Sequence, residues 1–115
     1  MTREEFAQAI REALNEQTAH VPLAPKWEGG MVVLRPRDPE LQPKEIPLDQ
    51  LFHKVVMIRD RLRVLEQKVN AHDKLTDAEK VEMQSYVTRC YGSLTTFNVL
   101  FRDEHDRFVG EKGPG

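Results

Sequence analysis

Four histidines, one cysteine and a short run of arginines are the residues of this chain whose side chains could do chemistry. His20, His53, His72 and His105 could ligate a metal, but no two stand at i, i+4, and no E-x-x-H pair falls on either long helical pattern. A carboxylate-bridged di-iron bundle needs Glu and His projecting inward from several helices. The helical seams here are apolar, which argues against that class. Asp103, Glu104, His105 and Asp106 are rich in ligand atoms, yet neighbouring side chains in an irregular segment rarely converge, so the sequence predicts solvated charge there.

Cys90 falls at an apolar position of a helical repeat, where a thiol is expected to be buried, raised in pKa and inert. The chain contains no G-x-S-x-G, P-loop or G-x-G-x-x-G pattern, and Gly29-Gly30 alone cannot cradle a phosphate. No nucleophile is paired with a base in a way that sequence can show. The expectation is a protein that is not an enzyme and needs no cofactor or metal.

The basic run R-D-R-L-R places Arg59, Arg61 and Arg63 on one helix, flanked by Lys54 and Lys68. Arg59 and Arg63 form an i, i+4 pair; Lys54, Arg61 and Lys68 sit at g positions beside the apolar seam. In coiled-coil pairs such residues meet carboxylates across the interface and set register. The other readings are the acidic surface of a partner protein, or nucleic acid. Nucleic acid is disfavoured, because acidic chain ends would repel phosphate and no aromatic alternates with the basic residues to stack on bases.

Two long helices must position these groups. In Pro47 to Asn70, residues Leu48, Leu51, Val55, Ile58, Leu62, Leu65 and Val69 recur at alternating steps of three and four, an a/d seam over three heptads. Pro47 suits a first turn, and at ~1.5 Å per residue the helix would be roughly 36 Å long. Ala71 to Leu75 make a short turn. Thr76 and Glu79 form a capping box that opens a second helix, expected over about 77–102, with Met83, Val87, Cys90, Leu94, Phe97 and Phe101 as its seam. So short a connection forces an antiparallel helical hairpin. Within the second helix, Cys90–Asn98 is weak: Gly92, Ser93, Thr95 and Thr96 are poor helix formers. Either a close approach by another helix or by the Pro-rich segment, or a bend or contact surface for a partner, is expected there.

The fold expected is therefore mainly α. A T-x-x-E box at Thr2 and Glu5 opens a short N-terminal helix over about 3–17, with Phe6, Ile10, Ala13 and Leu14 on one face. Residues 18–46 form a Pro-rich connecting segment whose prolines exclude a continuous helix. A small β-hairpin could form within it, over about 31–35 and 44–46. Trp27 either anchors this segment on the core or helps to hold a partner. A two-stranded ribbon leaves an edge that can accept a strand, so Trp27, Val32, Leu34, Arg35 and Arg37 are candidate partner-binding residues, with Arg59, Arg61 and Arg63. The competing reading is that the Trp27–Leu34 segment only seals the bundle.

At 115 residues with a net charge of −2, the chain suits one small domain, expected over 1–109, with 110–115 as a flexible tail. Residues 1–20 carry two arginines against four glutamates, while residues 47–70 carry five basic groups against three acidic. A single cysteine, an acidic start without a signal-type apolar run, and the lack of a long apolar stretch lead to a cytoplasmic expectation with no membrane span. Apolar residues also lie off the seams: Phe52, Val56, Met57 and Val64 on the first helix, Tyr86, Val99 and Leu100 on the second. They predict a homo-oligomer or a docking surface. Together these features point to a protein–protein interaction module, a small adaptor or regulatory subunit that self-associates or docks on a larger signalling partner. The alternative is a nucleic-acid-binding regulator using the basic helix face.

Overall fold

The computed structural model describes residues 2–9 and 21–110. Expectations that fall on residues 10–20 and 111–115, including the later part of the N-terminal helix, His20 and most of the tail, lie outside the described residues. The protein is mainly helical. Helix α1 covers residues 3–9 and is opened by the expected box: Glu5 N–H donates to Thr2 Oγ1 at 3.0 Å, and Thr2 N–H to Glu5 Oε2 at 3.3 Å.

The Pro-rich segment does form a ribbon. Strand β1 (Met31–Leu34) pairs antiparallel with β2 (Lys44–Pro47), in a register that sets Val32 opposite Ile46. Gly29, at φ 72°, supplies the left-handed residue that turns the chain into β1, a conformation open to glycine at little steric cost. β2 runs directly into α2 (Leu48–Ala71), with Pro47 at the cap position. A Cβ on Gly30 would come within 3.0 Å of the Trp27 carbonyl oxygen and 3.1 Å of Leu48, so the start of the ribbon is pressed against the first residue of α2.

After a turn, α3 (Asp77–Leu94) begins at the second capping box, where Glu79 N–H donates to Thr76 Oγ1 at 3.1 Å and Thr76 N–H to Glu79 Oε1 at 3.0 Å. It ends eight residues before the expected limit of 102. From Thr95 to Leu100 the chain tightens into a 3-10 helix. Ser93 Oγ donates to the Arg89 carbonyl and Thr95 Oγ1 to that of Gly92, at 3.1 and 2.9 Å. These hydroxyls compete for backbone acceptors, which is why the weak passage gives way where it does.

The core sits at the base of the hairpin rather than along its length. Val21, Leu48, Phe52, Val55, Val56, Leu100, Phe101 and Phe108 are buried together. Phe101 lies at the centre, edge-on to Phe52 at 5.4 Å and to Phe108 at 5.7 Å between ring centroids. Two distant chain segments meet there. Ala24 N–H donates to the Leu100 carbonyl at 2.8 Å and Arg102 N–H to that of Pro22 at 3.1 Å, with Leu23 and Phe101 in bridge pairing.

This core corrects the expected seam. On α2 the buried line at the base is Leu48, Phe52, Val55, Val56 and Arg59, and Val69 of the heptad seam is buried near the other end, whereas Ile58 and Leu65 are exposed. At ~100° per residue, the buried line is turned roughly 70° from the centre of the heptad stripe. The ribbon, Val21 and the C-terminal segment pack from that side and choose which face is covered. Cys90, expected in the core, is exposed for the same reason.

The irregular stretch after Arg102 packs back onto the fold as far as Gly110, the first residue of the expected tail. A 3-10 turn (Glu104–Asp106) leads Phe108 back into the core. Asn98 latches it: Nδ2 donates to the Phe108 carbonyl at 3.0 Å, and Phe108 N–H donates to Asn98 Oδ1 at 2.7 Å. Gly110 then lies so close to α3 that an added Cβ would be 2.4 Å from the Thr88 carbonyl oxygen and 2.6 Å from Gly92 N. A close approach at Gly92 is thus made, but by the chain's C-terminal segment rather than by another helix or the Pro-rich segment.

Candidate protein-interaction surface

The basic run divides once folded. Arg59 is 3% exposed. Its Nε donates to the Asp106 carbonyl at 2.8 Å, Nη1 to Asp60 Oδ1 at 2.6 Å, and Nη2 faces Asp106 Oδ1 at 3.5 Å. Burial, and then the nearby Arg63 charge, lowers the Arg59 pKa from its ordinary value, while Asp60 and Asp106 oppose that shift. Arg59 therefore fastens the C-terminal segment to α2 and is not part of a surface. Arg61 and Arg63 stay exposed, as do Lys54 and Lys68.

Asp103, His105 and Asp106 offer ligand atoms within 4.8 Å of one another, a spacing that a cation could bridge. Both carboxylates already face guanidinium groups. Asp103 takes Arg102 Nε and Nη2 at 3.2 and 3.0 Å, which holds its carboxyl below the ordinary value, and Asp106 faces Arg59. Of the charge expected to be solvated here, Glu104 and His105 are exposed, whereas Asp103 and Asp106 face guanidinium groups and Asp106 is buried. That arrangement suits a staple for the chain better than a metal centre.

On the ribbon the named residues separate into two groups. Trp27 and Val32 are half-buried and pack on the core, and Trp27 Nε1 donates to the Val99 carbonyl at 2.9 Å. Trp27 thus performs the anchoring role. Leu34, Arg35 and Arg37 are exposed at the far end of the ribbon, near exposed Leu41.

Among the described residues, apolar side chains are also left open on the hairpin itself. Ile58 and Leu65 on α2 are 44% and 47% exposed, and Met83 and Tyr86 on α3 are 45% and 60% exposed. Ile58, Leu62 and Leu65 follow one flank of α2; Met83 and Cys90 follow one flank of α3. For two antiparallel right-handed helices these flanks fall on the same side of the pair. The C-terminal segment crosses the other side, where Gly110 rests on Thr88 and Gly92. The two helices are tied to each other by polar contacts, Tyr91 Oη to Glu66 and Gln84 Nε2 to Asn70 Oδ1. Burial, with the Glu66 carboxylate beside it, pushes the Tyr91 phenol well above its ordinary pKa, so that it stays a neutral donor.

Sequence reasoning placed Ile58, Leu65 and Met83 inside the hairpin. The signal for their exposure was present in the surplus: Phe52 and Val56 offered a second apolar line on α2, and one hairpin cannot bury both.

Residues 17–107 match a family model described as "Domain of unknown function (DUF8685)". No curated protein and no solved structure is similar enough to match. Among the described residues, no helix is long and apolar enough to cross a membrane.

Proposed function

We propose that this chain, which belongs to the DUF8685 family of unknown function, is a non-enzymatic protein–protein interaction module, a small adaptor or regulatory subunit. The observation that carries this reading is the apolar side of the hairpin: Ile58, Leu65, Met83 and Tyr86 stand open on two helices held together by their own polar contacts. Adjacent exposed apolar residues of this kind mark docking surfaces more often than isolated ones do. An amphipathic helix or helix pair laid along such a stripe is a common mode of recognition. The exposed Leu34, Arg35 and Arg37 at the ribbon end offer a smaller second contact.

The charge distribution weighs against the nucleic-acid reading. Burial of Arg59 removes the first arginine of the basic run, leaving Arg61, Arg63, Lys54 and Lys68 exposed along α2. An electrostatic binder would show affinity for duplex that falls steeply with added salt.

A photo-crosslinking residue placed in turn at Leu65, Met83 and Glu45 tests the proposal in the native host. Defined adducts at Leu65 and Met83, without the same adducts at Glu45, are the expected result. Identical patterns at all three positions, or none at the hairpin, would remove the helical face as the docking surface.

A further inference from the structure

We infer that the occupant of the open hairpin side is a second copy of this chain, and that two hairpins complete an antiparallel four-helix bundle. This rests on the hairpin being a docking surface and adds which partner it takes. Three properties of the surface support the assignment.

The first is geometry. An open two-helix layer needs another layer to cover its stripe, and an identical hairpin supplies one of matching length and curvature. A two-fold axis parallel to the helices would set each α2 against the α3 of the other copy, with every neighbouring pair antiparallel.

The second is charge. The exposed outer edge of α2 carries Lys54, Arg61 and Lys68, whereas the early turns of α3 carry exposed Asp77, Glu79 and Glu82 against one half-buried base, Lys80. The α2-on-α3 arrangement brings the C-terminal part of the basic edge, at Lys68, toward the acidic turns of the other copy. Turning the second hairpin end for end would place basic α2 on basic α2 and is opposed by like charge. The surface is therefore complementary to itself in one orientation.

The third is size. The 18 residues of α3 extend ~27 Å, and two helices side by side span about 20 Å, a footprint on the order of 500 Å² before corrugation. Corrugated by side chains, that approaches the ~800 Å² per partner of a standard specific interface.

Sedimentation equilibrium of the full chain over a micromolar concentration series tests the inference. A monomer–dimer equilibrium is expected, and Leu65→Glu or Met83→Glu should weaken it by roughly tenfold or more while circular dichroism keeps its helical signal. Both positions are about half exposed in the single chain, so the folded monomer should persist. Lys68→Glu should also weaken the dimer, and Glu82→Lys in the same chain should restore part of the loss. A monomer at every concentration overturns the second-copy assignment, as does a dimer indifferent to Leu65→Glu and Met83→Glu. A dimer that instead responds to Val33→Glu would place the contact on the ribbon. If the chain is monomeric but crosslinks at Leu65 in the host, this inference fails while the interaction-module reading stands; if neither occurs, both fail.

Discussion

Arg59 and Asp106, 47 positions apart in the chain, are joined at the base of the hairpin, with Arg59 Nε donating to the Asp106 carbonyl oxygen at 2.8 Å. Asp60 and the Asp106 carboxylate supply the compensating charge. This pair turns a segment without periodicity into part of the fold. It also takes one arginine out of a run that otherwise reads as a binding face.

Removing Arg59 should therefore be a stability lesion. Arg59→Ala leaves Asp106 buried without its cation and should cost ~3–5 kcal/mol, whereas Arg61→Ala should stay within about 0.5 kcal/mol. Urea melts of the two variants decide it; similar midpoints would mean that the Arg59 contacts do not hold the segment.

The Asn98 latch gives a local readout. Asn98→Ala removes both hydrogen bonds to the Phe108 backbone and should cost ~1–3 kcal/mol. Hydrogen exchange at the Phe108 amide should accelerate far more than exchange in the middle of α2. Uniform acceleration along the chain would show that the latch has no separate local stability.

Position within the helix distinguishes the observed core from the heptad seam. Phe52→Ala should destabilise by ~3–5 kcal/mol because the ring packs against Phe101. Ile58→Ala, at an exposed position of the heptad seam on the same helix, should cost far less, within about 1 kcal/mol. Comparable losses would contradict the rotation of α2 away from its heptad stripe.

The α3 capping box makes a pH prediction. Accepting the Thr76 backbone N–H, and then the other Thr76 contact, holds the Glu79 carboxyl below its usual value of 4.5. A group with a depressed folded pKa adds stability above its unfolded pKa, and that contribution disappears as pH falls through the folded value. Glu79→Gln should thus be less stable than the parent at neutral pH, and the difference should shrink below pH 4.5. Thermal melts at neutral and acidic pH measure it; a gap independent of pH would mean that the carboxylate charge contributes nothing.

Much of the architecture is legible in the residues. The capping boxes at Thr2 and Thr76, the short turn between the long helices and the ribbon bounded by Gly29-Gly30 and Pro36 all rest on local chemistry, which neighbours in sequence supply. The weak passage at Gly92–Thr96 foretold that α3 would not run on evenly. Each of these depends on contacts within a few residues, so each survives being read without the fold.

Which side of each helix is covered is a different kind of property. Leu48, Leu51, Val55, Ile58, Leu62, Leu65 and Val69 define a stripe by their spacing, but Phe52, Val56 and Arg59 define another, and period alone cannot rank them. The choice falls to segments far away in sequence: Val21 and Leu23 beside Phe101, Phe108 held by Asn98, and the Asp106 carbonyl that accepts from Arg59. Those segments fill one side of α2 and α3 and leave Ile58, Leu65 and Met83 in the open. The sequence by itself determined the elements and their antiparallel order, because local hydrogen bonding and chain length decide those. Only the tertiary structure decided that Arg59 is internal and that Ile58, Leu65, Met83 and Cys90 of the apolar seams are surface, because burial depends on which distant chain arrives to exclude the water.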